Sequence, residues 1–315
     1  MPVSEAVCPA GISSFFEICT TDSVGRPLTD PAQIGARGGG FGIARGIRAR
    51  VAVRRAPKTC IEIRINSKPA PEARTTKWAL EQLLRKAGKT LRVRADLSVS
   101  VPIGAGYGTS AAGTAASSLA LAHAAQLPIT LNELGKLTHV AEVVNGTGLG
   151  TASALFVGGF VLVTEPGAPG IGRVDRLLFP KDHSILCVYL GSIPTQDTLR
   201  RVDIASKVNP AARRAMASIR RKPDLSTFLT EARNFSREVG FQTPEITRIM
   251  ETAISAGAVG AAQNMIGKAV HTVAETSKIS RIARVLRRTT ANAFVFSSHL
   301  ANTGVRLVEE RNPKH

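Results

Sequence analysis

The chain has 315 residues, 43% apolar and only 4% aromatic, and its 41 Lys and Arg against 23 Asp and Glu give a formal charge of +18. That length suits one large or two ordinary domains, and that apolar content excludes general disorder. The surplus of positive charge leaves two classes of partner open: nucleic acid, or small anionic substrates.

Cys8, Cys19, Cys60 and Cys187 form no CxxC pair and stand at no zinc spacing with a histidine. They read as free thiols of a reducing, cytoplasmic protein, most of them buried as small apolar groups. Glu5 and Glu17 precede the first basic residue, Arg26, so no secretory signal is expected. Leu97–Asn132 and Val143–Thr164 carry no charged residue at all. Pro102 and Pro128 interrupt the first, and Gly146, Gly148, Gly150, Gly158 and Gly159 the second, so neither reads as a membrane helix. Both read as buried or ligand-facing segments of a soluble protein.

In chain order, residues 36–55 begin with Gly38, Gly39, Gly40, Gly42 and Gly46 and then alternate Ile47, Ala49, Val51 and Val53 with Arg48, Arg50 and Arg54, a half-exposed strand. Ile61, Ile63 and Ile65 continue the period of two. Thr75 or Thr76 is expected to cap a helix that runs to about Ala87 and stops at Gly88. Leu91 to Val101 alternates strictly and is the clearest strand; it ends at Pro102. An Ala-rich helix is expected from Ser110 to about Gln126, and a second from Leu131 to Val144, capped by Thr130 or Asn132. Ser184–Leu190 reads as a buried strand. Asp197–Arg221, Asp224–Glu238, Pro244–Ser255 and Val259–Thr272 read as helices, and Ala293–Ser297 and Gly304–Glu309 as strands. The composition shift at Glu165–Gly170 divides the chain into residues 1–165 and 166–315.

The segment Pro102-Ile103-Gly104-Ala105-Gly106-Tyr107-Gly108-Thr109-Ser110-Ala111 joins a strand to a helix. Alternate glycines let the backbone turn tightly and bring its amides onto one ligand. The start of the following helix adds unpaired N–H groups and a partial positive charge, so the loop is built for phosphate. No Gly-Lys-Ser/Thr follows, which excludes a Walker A loop, and the glycine spacing does not fit a dinucleotide fingerprint.

Pro-x-Gly-x-Gly-x-Gly-x-Ser-Ala-Ala resembles the phosphate loop of the GHMP kinase family. Pro9–Glu17 resembles that family's N-terminal substrate motif, and Gly257–Gly267 its C-terminal Gly-rich motif. Pro9-Ala10 with Phe15-Phe16, Gly35–Gly42, Thr147–Thr151 and Gln263–Gly267 are most similar to the archaeal branch of the family that phosphorylates pantoate. The resemblance implies an α+β protein of two domains: an N-terminal ribosomal-S5-domain-2-like α/β domain that binds ATP, and a C-terminal ferredoxin-like domain. It implies ATP and Mg²⁺ as cofactors, a small-molecule substrate and, as is common in the family, a homodimer. Homoserine- or mevalonate-like acceptors remain as alternatives.

Under that resemblance, Pro102, Gly104, Ala105, Gly106, Tyr107, Gly108, Thr109, Ser110 and Ala111 hold the nucleotide. Ser110 and Glu142 hold the metal, because Mg²⁺ takes one or two protein ligands beside phosphates and water. Many family members carry an Asp where Thr151 stands, and no carboxylate replaces it in Gly148–Ser153. A loose phosphoryl-transfer transition state does not require a dedicated base, so Thr151 is assigned to orienting the acceptor. Arg37 is the candidate clamp for a substrate carboxylate, and Ser13 and Ser14 for its hydroxyls. The family's usual basic residue in this N-terminal motif is missing. His123, His139 and His271 read as satisfied, partly buried residues rather than catalytic ones.

The alternative of a nucleic-acid binder rests on residues 200–222, which carry eight basic residues from Arg200 to Lys222 against Asp203, and on Lys278, Arg281, Arg284, Arg287 and Arg288. No helix-turn-helix, RNA-recognition or zinc-finger signature accompanies them. Aromatics are too few to form a stacking platform. Solvated basic faces are the expectation, with no nucleic acid and no membrane as partner.

Overall fold

A computed structural model describes residues 2–191, 204–290 and 293–309. Among the described residues, two antiparallel-dominated sheets and eight helices arise from the patterns above, with several departures.

The first sheet begins with β1 (Val3–Cys19) and β2 (Gly35–Arg55), which pair antiparallel along nearly their whole length, with bulges at Pro9/Ala10 and Ser13/Phe15. β3 (Cys60–Ile65) leads through the short β4 (Lys68–Pro69) and α1 (Arg74–Lys86) to β5 (Leu91–Val99), which lies parallel to β3 and antiparallel to the second half of β2. α2 (Thr109–Ala124) crosses β1 and β2, and α3 (Leu131–Asn145) packs on α1 and α2. The alanines of α2 explain that approach: Ala111, Ala112, Ala115 and Ala116 are fully buried against Ala49, Val51, Val93 and Ala95. Removing their area from water drives this contact, and their small size sets its spacing. After the short α4 (Thr151–Val157), β6 (Phe160–Glu165) pairs with the glycine-rich first half of β2, and β7 (Arg173–Leu177) closes a hairpin on β6.

The second sheet has four antiparallel strands in the order β11-β8-β10-β9: β8 (His183–Gly191), β9 (Gly260–Gln263), β10 (Lys268–Glu275) and β11 (Phe294–Ser298). Alternation along β8 sorts its two faces. Leu186 and Val188 pack with α7 (Pro244–Ser255) and α8 (Thr276–Thr289), while Ile185 and Cys187 turn to the other side. There they share a core with α5 (Ile204–Arg221), α6 (Leu225–Glu238) and Phe15, Phe41 and Phe160 of the first sheet. Phe41 stacks on Phe160 with centroids 4.6 Å apart, and Phe228 of α6 meets the edge of both rings. The chain finally returns β12 (Arg306–Leu307) to the edge of β1.

Val259–Thr272 is not a helix. It forms β9 and β10, joined by a turn at Asn264–Gly267. An Ala-rich run scores as helical, but ladder pairing to β8 and burial on both faces override propensity. Thr75 and Thr76 do not cap α1. Ala73 holds the cap position, and both threonines are buried inside the helix. By contrast, Thr130 caps α3 through a reciprocal bond with Glu133, and Asp224 caps α6 by accepting from the Thr227 amide. Residues 151–157, to which no element was assigned, are α4, and the last expected strand is only Arg306–Leu307. Asp197 to Asp203, including Arg200 and Arg201, lie outside the described residues. The division expected at 165/166 falls in the connection of the β6–β7 hairpin, and the chain leaves the first sheet only after Leu177.

Candidate active site

The strand β5 delivers the loop to the N-terminus of α2. Gly104, Gly106 and Gly108 all have positive φ, at 73°, 75° and 58°. The residues between them point the other way: Ala105 and Tyr107 are buried in the shared core, with the Tyr107 ring 5.6 Å from Phe296. The loop thus turns bare backbone to one side and anchors itself on the other. The Gly11 amide donates to the Tyr107 carbonyl at 3.0 Å and ties the loop to β1. Gly108 is the N-cap of α2 in left-handed conformation, without a capping side chain. A Cβ there would lie 2.6 Å from Thr151 Cγ2, so this position needs glycine for conformation and for space. The first amides of α2 are left for an anion.

Beside this loop lies a cavity of about 170 Å³. Ser13, Arg37, Gly104, Gly106, Tyr107, Gly108, Thr109, Ser110, Glu142 and Thr151 all line it. Pro102, Ala105 and Ala111 do not, so any part they play is limited to shaping the backbone. Ser14 does not line it either. Its hydroxyl is fully buried and donates to His271 Nε2 at 2.9 Å. The expectation that Ser14 binds substrate hydroxyls therefore fails.

Ser110, at the start of α2, donates to Glu142 Oε1 at 2.5 Å. Thr147 Oγ1 donates to the same oxygen at 2.6 Å. Glu142 is only 3% exposed. Burial pushes its carboxyl above the usual range, opposed by the Ser110 and Thr147 hydrogen bonds. Two hard oxygen donors at the cavity wall, close to the helix terminus, fit Mg²⁺, which binds few protein ligands and keeps the rest of its shell for phosphate and water. A soft or nitrogen-rich donor set is absent: no cluster of three His, Cys, Asp or Glu occurs among the described residues.

Arg37, also in the lining, belongs to a charge cluster that one sequence motif could not join. Glu17 of β1 is almost fully buried and holds two guanidinium groups: Arg37 Nε at 3.0 Å and Arg213 Nε at 2.6 Å. Arg213 belongs to the basic helix α5, so at least this residue is more than a solvated charge. Val161 and Val163 of β6 form an apolar wall beside Arg37 and Gly38–Gly40. Thr151 begins α4 next to Gly108 and lines the same cavity.

The buried histidines are satisfied. His271 Nδ1 donates to Asn264 Oδ1 at 2.9 Å, which leaves Nε2 to accept from Ser14. Burial holds its pKa down at about 3. His139 lies 2.7 Å from the Ile34 carbonyl, and burial lowers its pKa as well. The Met265 amide donates to the Ser13 carbonyl at 2.8 Å, so the C-terminal Gly-rich turn sits directly on the N-terminal motif. Thr147, Glu17 and Arg213 were given no role from the sequence. Thr147 stands within a quoted motif, but its contact with Glu142 depends on the turn that ends α3. The Glu17–Arg213 pair spans 196 residues.

Residues 74–159 match the GHMP kinases N terminal domain. The chain is 28% identical over 249 residues to the pantoate kinase of Thermococcus kodakarensis, covering 78% of each, and 25% identical over 283 residues to that of Methanocaldococcus jannaschii, covering 89% of this chain and 96% of the relative. Among solved structures, a phosphotransferase related to the CoA biosynthesis pathway superposes with a TM-score of 0.86 at 23% identity, over 97% of this chain and 98% of that one. MDDEF in complex with MVAPP, AMPPCP and magnesium superposes with a TM-score of 0.74 at 14% identity, over 98% and 99% of the two chains. No described helix is long and apolar enough to cross a membrane. With the matched domain, the fold and these relatives together, the chain is similar to the GHMP kinases.

Proposed function

We propose that this protein is a pantoate kinase, transferring the γ-phosphoryl group of ATP to the 4-hydroxyl of (R)-pantoate to give 4-phosphopantoate, ADP and a proton. The observation that carries the reading is the pairing of Ser110 with Glu142 at the open N-terminus of α2, in one cavity that Arg37, Val161 and Val163 also line. The sequence relatives supply the acceptor's identity.

The amides of Gly104–Ser110 would hold the ATP phosphates, aided by the α2 dipole. Ser110 Oγ and Glu142 would hold Mg²⁺, which neutralises charge on the transferred group. Pantoate carries one carboxylate, two hydroxyls and two methyl groups on a single carbon. Arg37 suits the carboxylate, having N–H groups to spare beyond those that face Glu17. Val161 and Val163 suit the methyl groups, and Ser13 a hydroxyl. Thr151 would orient the 4-hydroxyl. With no carboxylate at that position, the hydroxyl proton leaves late with the forming phosphate ester, as a loose transition state permits. The free cysteines fit a reducing cytoplasm.

The test is a panel of pantoate, homoserine, mevalonate and shikimate with Mg-ATP, followed by ADP release. Turnover is expected with pantoate. Preference for another acceptor would overturn the substrate, and no turnover with any would overturn the reaction class.

A further inference from the structure

The turn after α3 builds more around Glu142 than metal ligation alone asks for. Gly146 ends the helix in left-handed conformation, and the Thr147 amide donates back to the Glu142 carbonyl at 2.9 Å. This folds Thr147 over the carboxylate, where its hydroxyl donates to Oε1 at 2.6 Å. Because Thr147 spends its only proton on Glu142, the 3.1 Å contact between Thr147 and Thr75 hydroxyls has Thr75 as donor. Thr75 is buried inside α1 and has no other evident reason to be polar. A directed chain therefore runs from α1 through Thr147 to Glu142.

Its effect is to divide the labour of the two carboxylate oxygens. Oε1 receives both Ser110 and Thr147, which fills its two acceptor sites. Oε2 has no hydrogen bond to protein among the described residues. It faces Gly148, where any Cβ would overlap it. Glu142, Thr147 and Gly148 all border the cavity.

We propose that Thr147, held by Thr75, is a positioning residue that fixes Glu142 with Oε2 turned to a divalent cation, and that Gly148 keeps the space at that oxygen clear. The proposal rests on the cation site of the proposed function, not on the identity of the acceptor. Ser110 can serve both roles at once, giving its proton to Oε1 and a lone pair to the cation. Outer partners of this kind contribute about 10–100-fold to metal affinity.

The experiment compares Thr147→Val, Thr147→Ser, Thr75→Val and Gly148→Ala by Mn²⁺ titration of the full chain with ADP and no acceptor, read by electron paramagnetic resonance. Melting temperatures control for folding. Thr147→Val should weaken Mn²⁺ binding about tenfold or more, Thr147→Ser should restore it to within about threefold, and Thr75→Val should move it in the same direction by less. Gly148→Ala should weaken it at least as much as Thr147→Val. In turnover assays, the Mg²⁺ dependence should shift with KM for pantoate unchanged. Unaltered Mn²⁺ affinity in a folded Thr147→Val, or a Thr147→Ser no better than Thr147→Val, would overturn the proposal. Because the titration contains no acceptor, failure of the pantoate assignment would leave its outcome intact.

Discussion

Glu142→Gln separates chemistry from folding. The amide retains a carbonyl oxygen at the position of Oε1, so Ser110 and Thr147 keep an acceptor at their present 2.5 and 2.6 Å. The amide nitrogen takes the place of Oε2, which faces Gly148 and the cavity and needs no protein donor. Packing is preserved, and a buried negative charge that burial already disfavours is removed. The variant should therefore melt at or slightly above the parent temperature. Its turnover should fall about 100- to 1000-fold, which is about 2.7–4 kcal/mol of lost transition-state stabilisation, the usual scale for one preorganised electrostatic group. The assay is coupled ADP release at saturating ATP and pantoate, with KM for pantoate measured alongside. A folded variant retaining more than a fifth of parental kcat would refute the placement of Glu142 in the phosphoryl-transfer machinery.

Three further outcomes follow from the same geometry. Arg37→Met keeps the apolar stem but removes the guanidinium beside Glu17, so KM for pantoate should rise about 10- to 100-fold with KM for ATP unchanged; an equal rise in both would remove Arg37 from the acceptor end. Thr151→Val keeps the shape beside Gly108 and deletes the hydroxyl. It should lower kcat, while normal turnover in both this variant and Thr151→Ala would end its orienting role. His271 has a folded pKa of about 3 against 6.5 when unfolded. Between those values the unfolded chain holds a proton that the folded one lacks, so stability falls as pH drops below 6.5, by at most about 1.4 kcal/mol per pH unit. His271→Gln should flatten the slope of urea midpoint against pH between 6.5 and 5, and an unchanged slope would contradict the assignment.

Features fixed by local geometry were the readable ones. The strict alternation of Leu91–Val99, the Thr130–Glu133 cap and the Gly104–Ser110 loop each depend on neighbours within a few residues, and each is visible in the sequence. Long-range pairing was not. Residues 260–275 carry a helical composition and become strands because β8 offers a ladder. Ser14 lies in a substrate-like motif, yet the bulge between Ser13 and Phe15 turns its hydroxyl inward toward His271, 257 residues away. Arg37 was recognisable as a cation near glycines, but its pairing with Glu17 depends on the β1–β2 register, and Arg213 joins Glu17 only because α5 folds against β1. Thr75 shows the same limit: its position suggested a cap, whereas the fold uses its hydroxyl to reach Thr147.

The positive surplus also takes a definite form. The cavity lining at the phosphate loop is made of glycine amides, Ser110 and Glu142, with no Lys or Arg there among the described residues. Among the described residues, Arg37 alone brings a cationic side chain to the lining. The positive surplus as a whole also acts through its summed field, which raises encounter rates with ATP and a carboxylate substrate and weakens with salt.

The most direct measurement is ³¹P NMR of the reaction with Mg-ATP and (R)-pantoate. The account predicts a new phosphomonoester resonance coupled to the C4 methylene protons, growing in step with ADP and absent when Glu142 is Gln. ADP formation without that resonance, or no ADP formation from pantoate by a folded protein, would contradict it.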